Sequence, residues 1–287
     1  MRRLAGCALL AVALAAAPAR GEAIKVVAAE SVYGDIASQI GGENVAVMSI
    51  LAGSSQDPHA FEPGAATARA IADSRLLIYN GAGYDPWVPK LLSASKAPAR
   101  EVVEVARIAG KPAGANPHLW YDTVAMSTLA ATISAALTRL DPAHRDGYAT
   151  RLAGFASSIQ ELRARIAALR VRHAGTPVAA TEPVFDYMAD ALGLVMRDER
   201  FQLAVMNGTE PSATAVAAFE QDLRTRAVKV LLYNAQTSQA LAERMRGLAE
   251  QSGVPVVAIS ESKPPTQSYQ AWMASQLDAL ERALIMQ

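Results

Sequence analysis

Four residues of this chain combine metal-binding side chains with loop positions that suit ligands. His59 and His118 each follow a proline, and Glu182 and Glu261 each follow a predicted strand in the second half of the sequence. Two imidazoles and two carboxylates make a coordination shell for a divalent transition metal. The residue types and their placement therefore predict one metal site built from four distant loops.

The histidine loops carry side chains that could orient the imidazoles. Asp57 precedes Pro58-His59, and Asn116 precedes Pro117-His118. A carboxylate or amide oxygen can accept the hydrogen bond from the ring nitrogen that faces away from a metal. We expect Asp57 and Asn116 to do this. The alternatives are an ordinary surface histidine for His59 and a packed core histidine for His118, which Leu119-Trp120 follow.

The two glutamates also have ordinary alternatives. Glu182 precedes Pro183, so it could cap a helix or be an acid of its first turn. Glu261 could be a solvated loop acid. A carboxylate placed directly after a buried strand is costly, however, unless it is paired or bound to a metal. We therefore predict that both glutamates are ligands.

Elements that would position these loops alternate between strand and helix. This alternation favours an α/β fold with two lobes, each a mainly parallel sheet flanked by helices, and functional loops at the carboxyl ends of the strands. The predicted strands are Ile24–Ala28, Val45–Leu51, Leu76–Tyr79, Val178–Thr181, Val228–Tyr233 and Val254–Ile259. The predicted helices are Ser31–Ile40, Ala65–Ala72, Thr123–Leu140, His144–His173, Val184–Leu192, Ala213–Arg224, Ser238–Ser252 and Gln267–Leu284.

The helix predicted near His144–His173 sets the domain organisation. Thirty helical residues would extend about 45 Å, which is long for a globular helix and typical of a strut between two bodies. We expect a signal peptide over 1–19, a metal-binding lobe over 20–142, a linking helix over 143–173 and a second metal-binding lobe over 174–287. His144 and His173 at the ends of this helix are expected to be solvent-exposed and not ligands.

Composition narrows the class of protein. The 287 residues are 51% hydrophobic and 19% charged, and the 27 basic residues balance the 27 acidic ones. This balance gives no basic surface for nucleic acid. The apolar run after Arg2-Arg3 and the small residues Ala17-Pro18-Ala19 predict export through a signal peptide, hence a periplasmic location without membrane insertion after cleavage.

Cysteine usage narrows the site chemistry. The single cysteine, Cys7, lies within the predicted signal. A mature chain would therefore have no disulfide, no thiolate ligand and no thiol nucleophile. Neither a phosphate-binding glycine loop nor the helical His-Glu-x-x-His pattern of zinc proteases occurs.

Several segments together resemble the metal-specific solute-binding proteins of bacterial ABC importers, the cluster that takes up manganese, zinc or iron. The resemblance covers nearly the whole mature chain. The segments that carry it are Asp57-Pro58-His59, Ala72-Asp73, Tyr79-Asn80-Gly81-Ala82-Gly83, Trp87, Asn116-Pro117-His118-Leu119-Trp120, the long helix, Glu182-Pro183-Val184-Phe185-Asp186-Tyr187, Tyr269 and Trp272-Met273.

The resemblance implies two lobes joined by a rigid helix, with the metal held between them by two ligands from each lobe. His59 and His118 match the first two ligands. Glu182 matches the third, where zinc-type members carry histidine and manganese-type members carry glutamate. The fourth is usually aspartate, and this chain departs from the pattern with Glu261. The resemblance further implies a non-enzymatic carrier of Mn²⁺ or Zn²⁺, and of Fe²⁺ as a third candidate, that is monomeric and delivers its metal to a membrane permease.

Two other functions would also fit a metal site between two lobes. A metal-dependent hydrolase would need an open coordination position and a free general base, and four protein ligands leave little room for both. The same fold could instead bind an organic metal chelate. Asn80, Asn234, Tyr187 and Tyr269 are expected to support the site at most.

Overall fold

The computed structural model of this chain describes residues 22–53, 61–236 and 239–285. The strands are β1 Ile24–Glu30, β2 Val45–Leu51, β3 Leu76–Tyr79, β4 Glu101–Glu104, β5 Pro177–Ala180, β6 Val195–Arg197, β7 Leu231–Asn234 and β8 Val256–Ile259. The helices are α1 Ser31–Gly41, α2 Ala65–Asp73, α3 Trp87–Ala94, α4 Val105–Ile108, α5 Thr123–Leu140, α6 Arg145–His173, α7 Asp186–Leu192, α8 Glu199–Met206, α9 Ala213–Arg224, α10 Ala240–Ser252 and α11 Tyr269–Ile285. The signal predicted over 1–19 lies outside the described residues.

Two parallel sheets form the framework. The first has the strand order β2-β1-β3-β4 and the second the order β6-β5-β7-β8. All six strand pairs are parallel, with register such as Val26↔Leu76 in the first sheet and Leu231↔Val256 in the second. The predicted α/β fold with two parallel sheets is confirmed. We call the parts before and after α6 the first and second lobes.

The two sheets share one order of connection. In each, the first strand in sequence pairs with the second and third, and the third pairs with the fourth. The carboxyl ends of β1 and β5 are therefore equivalent positions, and so are those of β3 and β7. Parallel strands present functional loops at these ends, so each lobe offers the same edge for a site.

Helix α6 joins the lobes. Its buried residues Phe155, Ile159, Leu162, Ile166 and Leu169 follow one another at spacings of three and four, which places them on one face. This face packs on α1 and α5 of the first lobe and on α7 and α11 of the second. The 29 residues of α6 correspond to a rod of about 44 Å.

Helix α5 supports the first sheet from inside that lobe. By length and composition it could cross a membrane. It packs instead against α1 and α6, and its residues Met126, Leu129, Ile133 and Leu137 are fully buried. Asp122 caps it by accepting hydrogen bonds from the amides of Val124 and Ala125 at 2.8 and 3.2 Å. Its apolar character thus serves the core of the lobe.

Candidate metal centre

Residue His118 lies where the first lobe faces the second. It directly precedes the 3₁₀ turn Leu119–Tyr121, and its side chain is fully buried. The edges of the Trp120 and Tyr84 rings pack near it, with ring centroids at 5.4 and 6.1 Å. The tight turn and these aromatic rings hold the imidazole in one orientation.

Asn116 determines which ring nitrogen of His118 carries the proton. Nδ1 of His118 lies 2.7 Å from Oδ1 of Asn116, which also accepts the His118 backbone N–H at 3.0 Å. An amide oxygen only accepts, so Nδ1 carries the proton. Nε2 therefore has a free lone pair, and it has no hydrogen-bond partner among the described residues. This is the tautomer of a metal-ligating histidine whose other nitrogen is held by an oxygen.

Glu261 approaches the same imidazole from the second lobe. It follows β8 and is only 3% exposed, so the interpretation as a solvated loop acid is wrong. Asn234 Nδ2 donates to its Oε1 at 2.7 Å, and the Tyr84 hydroxyl donates to its Oε2 at 2.8 Å. Gln236 Oε1 accepts the Glu261 backbone N–H at 2.6 Å. The carboxylate is thus held in place by groups of both lobes.

A single ion fits the geometry between these two side chains. His118 Nε2 and Glu261 Oε2 lie 3.6 Å apart, which is too long for a direct hydrogen bond. Two ligands bound to one ion at about 2.1 Å with a tetrahedral angle lie roughly 3.4 Å apart. The two atoms therefore have the separation of neighbouring ligands of a transition metal.

Glu182 is the second carboxylate predicted for the site. It follows β5 in an extended conformation and is 5% exposed. It occupies the N-cap position of the 3₁₀ turn Pro183–Phe185, as one alternative expected, but its side chain makes no capping hydrogen bond there. Glu182 is thus buried at the carboxyl end of a strand, which is where the sequence predicted a ligand.

The segment 182–187 is tied to the histidine of the other lobe. Asn116 Nδ2 donates to the carbonyl oxygen of Pro183 at 2.7 Å, and the Tyr187 hydroxyl donates to the carbonyl oxygen of Asn116 at 2.8 Å. One asparagine thus orients His118 and contacts the residue directly after Glu182. Across the same boundary, the Tyr121 hydroxyl donates to the carbonyl oxygen of Ser260 at 2.8 Å.

His59 and Asp57, the remaining predicted ligand and its supporting acid, lie outside the described residues. Over 22–53, 61–236 and 239–285, no three His, Cys, Asp or Glu side chains form a group that could hold a metal ion. His118 and Glu261 are the predicted ligands for which the structure gives a mutual distance.

Asp186 adds an acidic group that the sequence analysis did not single out. Burial raises the pKa of its carboxyl to about 6, while the positive charge of a protonated His118 would lower it. Its position in the turn after Glu182 explains this proximity. An acid four residues after a predicted ligand gives no sequence signal of its own.

A buried acidic pair at the edge of the first sheet was also missed. Glu30 ends β1, is 5% exposed, and its carboxyl lies beside that of Asp85. Burial, followed by the charge of Asp85, raises its pKa well above the usual range. Asp85 accepts the backbone N–H groups of Asn80 and Gly81 at 2.7 and 2.9 Å, yet burial raises its pKa to about 6.

The position of Glu30 repeats that of Glu182, because β1 and β5 are equivalent strands of the two sheets. The rule that singled out Glu182, an acid following a buried strand, could therefore have found Glu30. Two adjacent buried carboxyls disfavour each other's ionisation, so at least one of them retains a proton near neutral pH.

The remaining histidines and the residues expected to support the site have different surroundings. His144 is exposed and contacts Asp141 at 2.6 Å, as expected. His173 is half-buried and lines a small apolar cavity with Leu169 and Leu194, so its expected solvent exposure is only partial. Asn80 accepts a hydrogen bond from the Tyr33 hydroxyl, and Tyr269 is a core residue whose hydroxyl donates to the carbonyl oxygen of Trp120 at 2.9 Å.

Comparison with known proteins identifies relatives along almost the whole chain. The family described as zinc-uptake complex component A, periplasmic, matches residues 26–283. A putative metal-binding protein of Treponema pallidum (strain Nichols) is 26% identical over 274 residues, which are 87% of this chain and 83% of that protein. The manganese-binding lipoprotein MntA of Halalkalibacterium halodurans is 26% identical over 180 residues, or 60% of this chain and 59% of the relative.

A solved structure has the same fold. The periplasmic zinc-binding protein TroA from Treponema pallidum matches with a TM-score of 0.76 and 17% identity, over 92% of this chain and 99% of that one. This likeness shows the fold, and the family match shows the class of protein. The chain belongs to the zinc-uptake complex component A family and is a metal-binding solute-binding protein of an ABC importer, located outside the cytoplasm, and not an enzyme.

Proposed function

We propose that this member of the zinc-uptake family captures one divalent transition metal ion, Mn²⁺ or Zn²⁺, between its lobes and delivers it to an ABC permease. The proposed ligands are His59 and His118 from the first lobe and Glu182 and Glu261 from the second. One observation carries the proposal. Nε2 of His118 has no hydrogen-bond partner within the described ranges and faces Oε2 of Glu261 at 3.6 Å, and both side chains are buried.

The donor set favours Mn²⁺ more than a three-histidine set would. Two carboxylates make the shell harder and more negative, which suits Mn²⁺ and Fe²⁺. Intrinsic affinity still rises toward Zn²⁺, so the protein should bind both ions in vitro. We propose Mn²⁺ as the physiological metal, with Zn²⁺ and then Fe²⁺ as the competing candidates. The name of the Halalkalibacterium halodurans relative, a manganese-binding lipoprotein, supports this choice.

A bare ion suits the site better than an organic chelate. Direct hydrogen bonds cross the boundary between the lobes on several sides of His118, including Asn116 Nδ2 to the Pro183 carbonyl oxygen at 2.7 Å and Tyr84 to Glu261 at 2.8 Å. The gap of 3.6 Å between the two proposed ligands accommodates one ion. An organic chelate would have to separate these contacts.

We propose that residues 1–19 direct export to the periplasm and are removed, that lobes 20–142 and 174–287 are joined by 143–173, and that the mature protein acts as a monomer that binds no nucleic acid. The functional partner is the membrane permease, to which the metal-loaded cleft would be presented.

Metal titration of the apoprotein tests the proposal. One equivalent of Mn²⁺ or Zn²⁺ should bind, and metal at a hundred times its dissociation constant should stabilise the fold by about 2.7 kcal/mol. His118→Ala should abolish both effects, whereas His144→Ala, a histidine exposed at the start of α6, should change neither. An unshifted thermal melt of the wild type with both metals would contradict the proposal. Metal analysis of protein from its native periplasm would identify the physiological ion.

A further inference from the structure

Tyr84 touches both proposed ligands for which the structure gives a distance. It lies in the loop between β3 and α3, and only 5% of it is exposed. Its ring packs edge-on against Trp120 and His118, with centroids at 5.2 and 6.1 Å. Its hydroxyl donates to Glu261 Oε2 at 2.8 Å. That oxygen is the one that faces His118 Nε2.

We propose that Tyr84 is a positioning residue of the metal site, which holds Glu261 from the opposite lobe so that Oε2 binds the ion as a single donor. This inference rests on the proposed function, because it assumes that Glu261 is a ligand. Tyr84 would thereby link the closure of the two lobes to the completion of the coordination shell.

The hydrogen bonds of the carboxylate support a single-donor role. Each carboxylate oxygen has about two lone-pair sites. Asn234 of the second lobe occupies one on Oε1, and Tyr84 of the first lobe occupies one on Oε2. Two donors from opposite lobes fix the rotation of the carboxylate, with Oε2 toward His118 Nε2. Rotation to bring both oxygens to the ion would break these bonds.

The phenol of Tyr84 is the donor of this hydrogen bond, because an ordinary tyrosine hydroxyl is protonated at neutral pH and a carboxylate only accepts. A glutamate side chain also has several rotatable bonds whose freedom is lost when it binds a metal. Holding it in advance reduces that loss on binding.

The test compares two tyrosine-to-phenylalanine variants. Tyr84→Phe keeps the ring and removes the hydroxyl. The matched control is Tyr79→Phe, which also removes a phenol–carboxylate hydrogen bond, here to Glu104 Oε2 at 3.0 Å on the neighbouring strand. Affinities for Mn²⁺ and Zn²⁺ are measured by competition with a chelating dye. Loss of a group that orients a ligand typically weakens metal binding 10- to 100-fold, and we expect roughly this for Tyr84→Phe and less than a twofold change for Tyr79→Phe.

The visible spectrum of bound Co²⁺ separates positioning from general stability. A change in the binding mode of Glu261 should alter the ligand-field bands in Tyr84→Phe, whereas Tyr79→Phe should match the wild type. Release of metal to excess chelator should be faster in Tyr84→Phe by a factor similar to the loss of affinity. Tyr84→Leu, which lacks both hydroxyl and ring, should show at least the same loss and is the variant to measure if the phenylalanine protein does not fold.

The outcomes distinguish this inference from the proposed function. If the wild type binds metal, His118→Ala does not, and Tyr84→Phe retains wild-type affinity with an unchanged Co²⁺ spectrum, the role of Tyr84 is wrong while the proposed function stands. If the wild type binds no metal, or His118→Ala binds as the wild type does, both are wrong. A weaker Tyr84→Phe with altered Co²⁺ bands supports the positioning role.

Discussion

Removal of the Asn116 side chain should weaken both the fold and metal binding. Its Oδ1 accepts from His118 Nδ1 at 2.7 Å and from the His118 backbone N–H at 3.0 Å, and its Nδ2 donates to the Pro183 carbonyl oxygen at 2.7 Å. Asn116→Ala removes all three bonds at once. It also frees the imidazole to rotate or to change tautomer.

These contacts give the expected losses of stability and of metal affinity. Each hydrogen bond contributes about 1 kcal/mol net, so Asn116→Ala should lower the free energy of unfolding of the apoprotein by roughly 3 kcal/mol. Loss of the oxygen that holds the non-ligating nitrogen of a histidine typically reduces metal affinity 10- to 100-fold. We expect a reduction of roughly this size for both Mn²⁺ and Zn²⁺.

Two measurements check the prediction. Urea unfolding of the metal-free protein gives the change in stability, and competition with a chelating dye gives the change in affinity. Asn207→Ala, at an exposed residue that follows α8, is the control and should alter neither. Metal affinity of Asn116→Ala within twofold of the wild type would refute the argument that Asn116 holds His118 in its ligating tautomer.

Three further predictions address metal choice, titration and packing. Glu182→His should raise the Zn²⁺/Mn²⁺ affinity ratio at least tenfold by softening the shell, and an unchanged ratio in competition titrations would count against Glu182 as a ligand. Burial raises the pKa of Asp85 to about 6, so the folded protein binds a proton at this carboxyl more tightly than the unfolded chain does. The free energy of unfolding should therefore fall by about 3 kcal/mol as pH rises from 4 to 7. Asp85→Asn should reduce that fall in urea-unfolding curves of the apoprotein and leave the part that comes from Glu30, whose pKa burial also raises, and a fall as large as that of the wild type would exclude Asp85 as a source. A Cβ on Gly34 of α1 would lie 2.1 Å from Ser49 Oγ of β2, so Gly34→Ala should lower the free energy of unfolding by roughly 1–3 kcal/mol. Gly154→Ala in α6 is the control, because a Cβ there meets open space and should not destabilise the protein.

The long strands and helices were predictable because their patterns are local. The apolar runs that become β1 and β3 are buried in the first sheet, and the continuous pattern without proline that becomes α6 extends over Arg145–His173. The sequence analysis missed the short strands β4 and β6 and the helices α3, α4 and α8. These elements have three to eight residues, and β4 and β6 lie at sheet edges, so their strand character depends on one neighbour more than on their own residues.

Three predicted site residues reach buried positions, and their places along the sequence explain why. His118, Glu182 and Glu261 follow a proline or a strand and are all at most 5% exposed. Glu30 has the same signal and was missed, and the strand order that the two sheets share shows that its position is equivalent to that of Glu182. Residue types and strand ends thus predict which side chains reach the edge of a sheet.

The sequence by itself determined the type of ligand, the alternating fold and the long helix, because each depends on residues that are neighbours along the chain. Only the tertiary structure decided the tautomer of His118, the 3.6 Å gap to Glu261 and the contact of Tyr84 with that carboxylate. Tyr84 and Glu261 are 177 residues apart and belong to different lobes. No local pattern encodes such a pair, since its distance depends on how α6 holds the two sheets against each other.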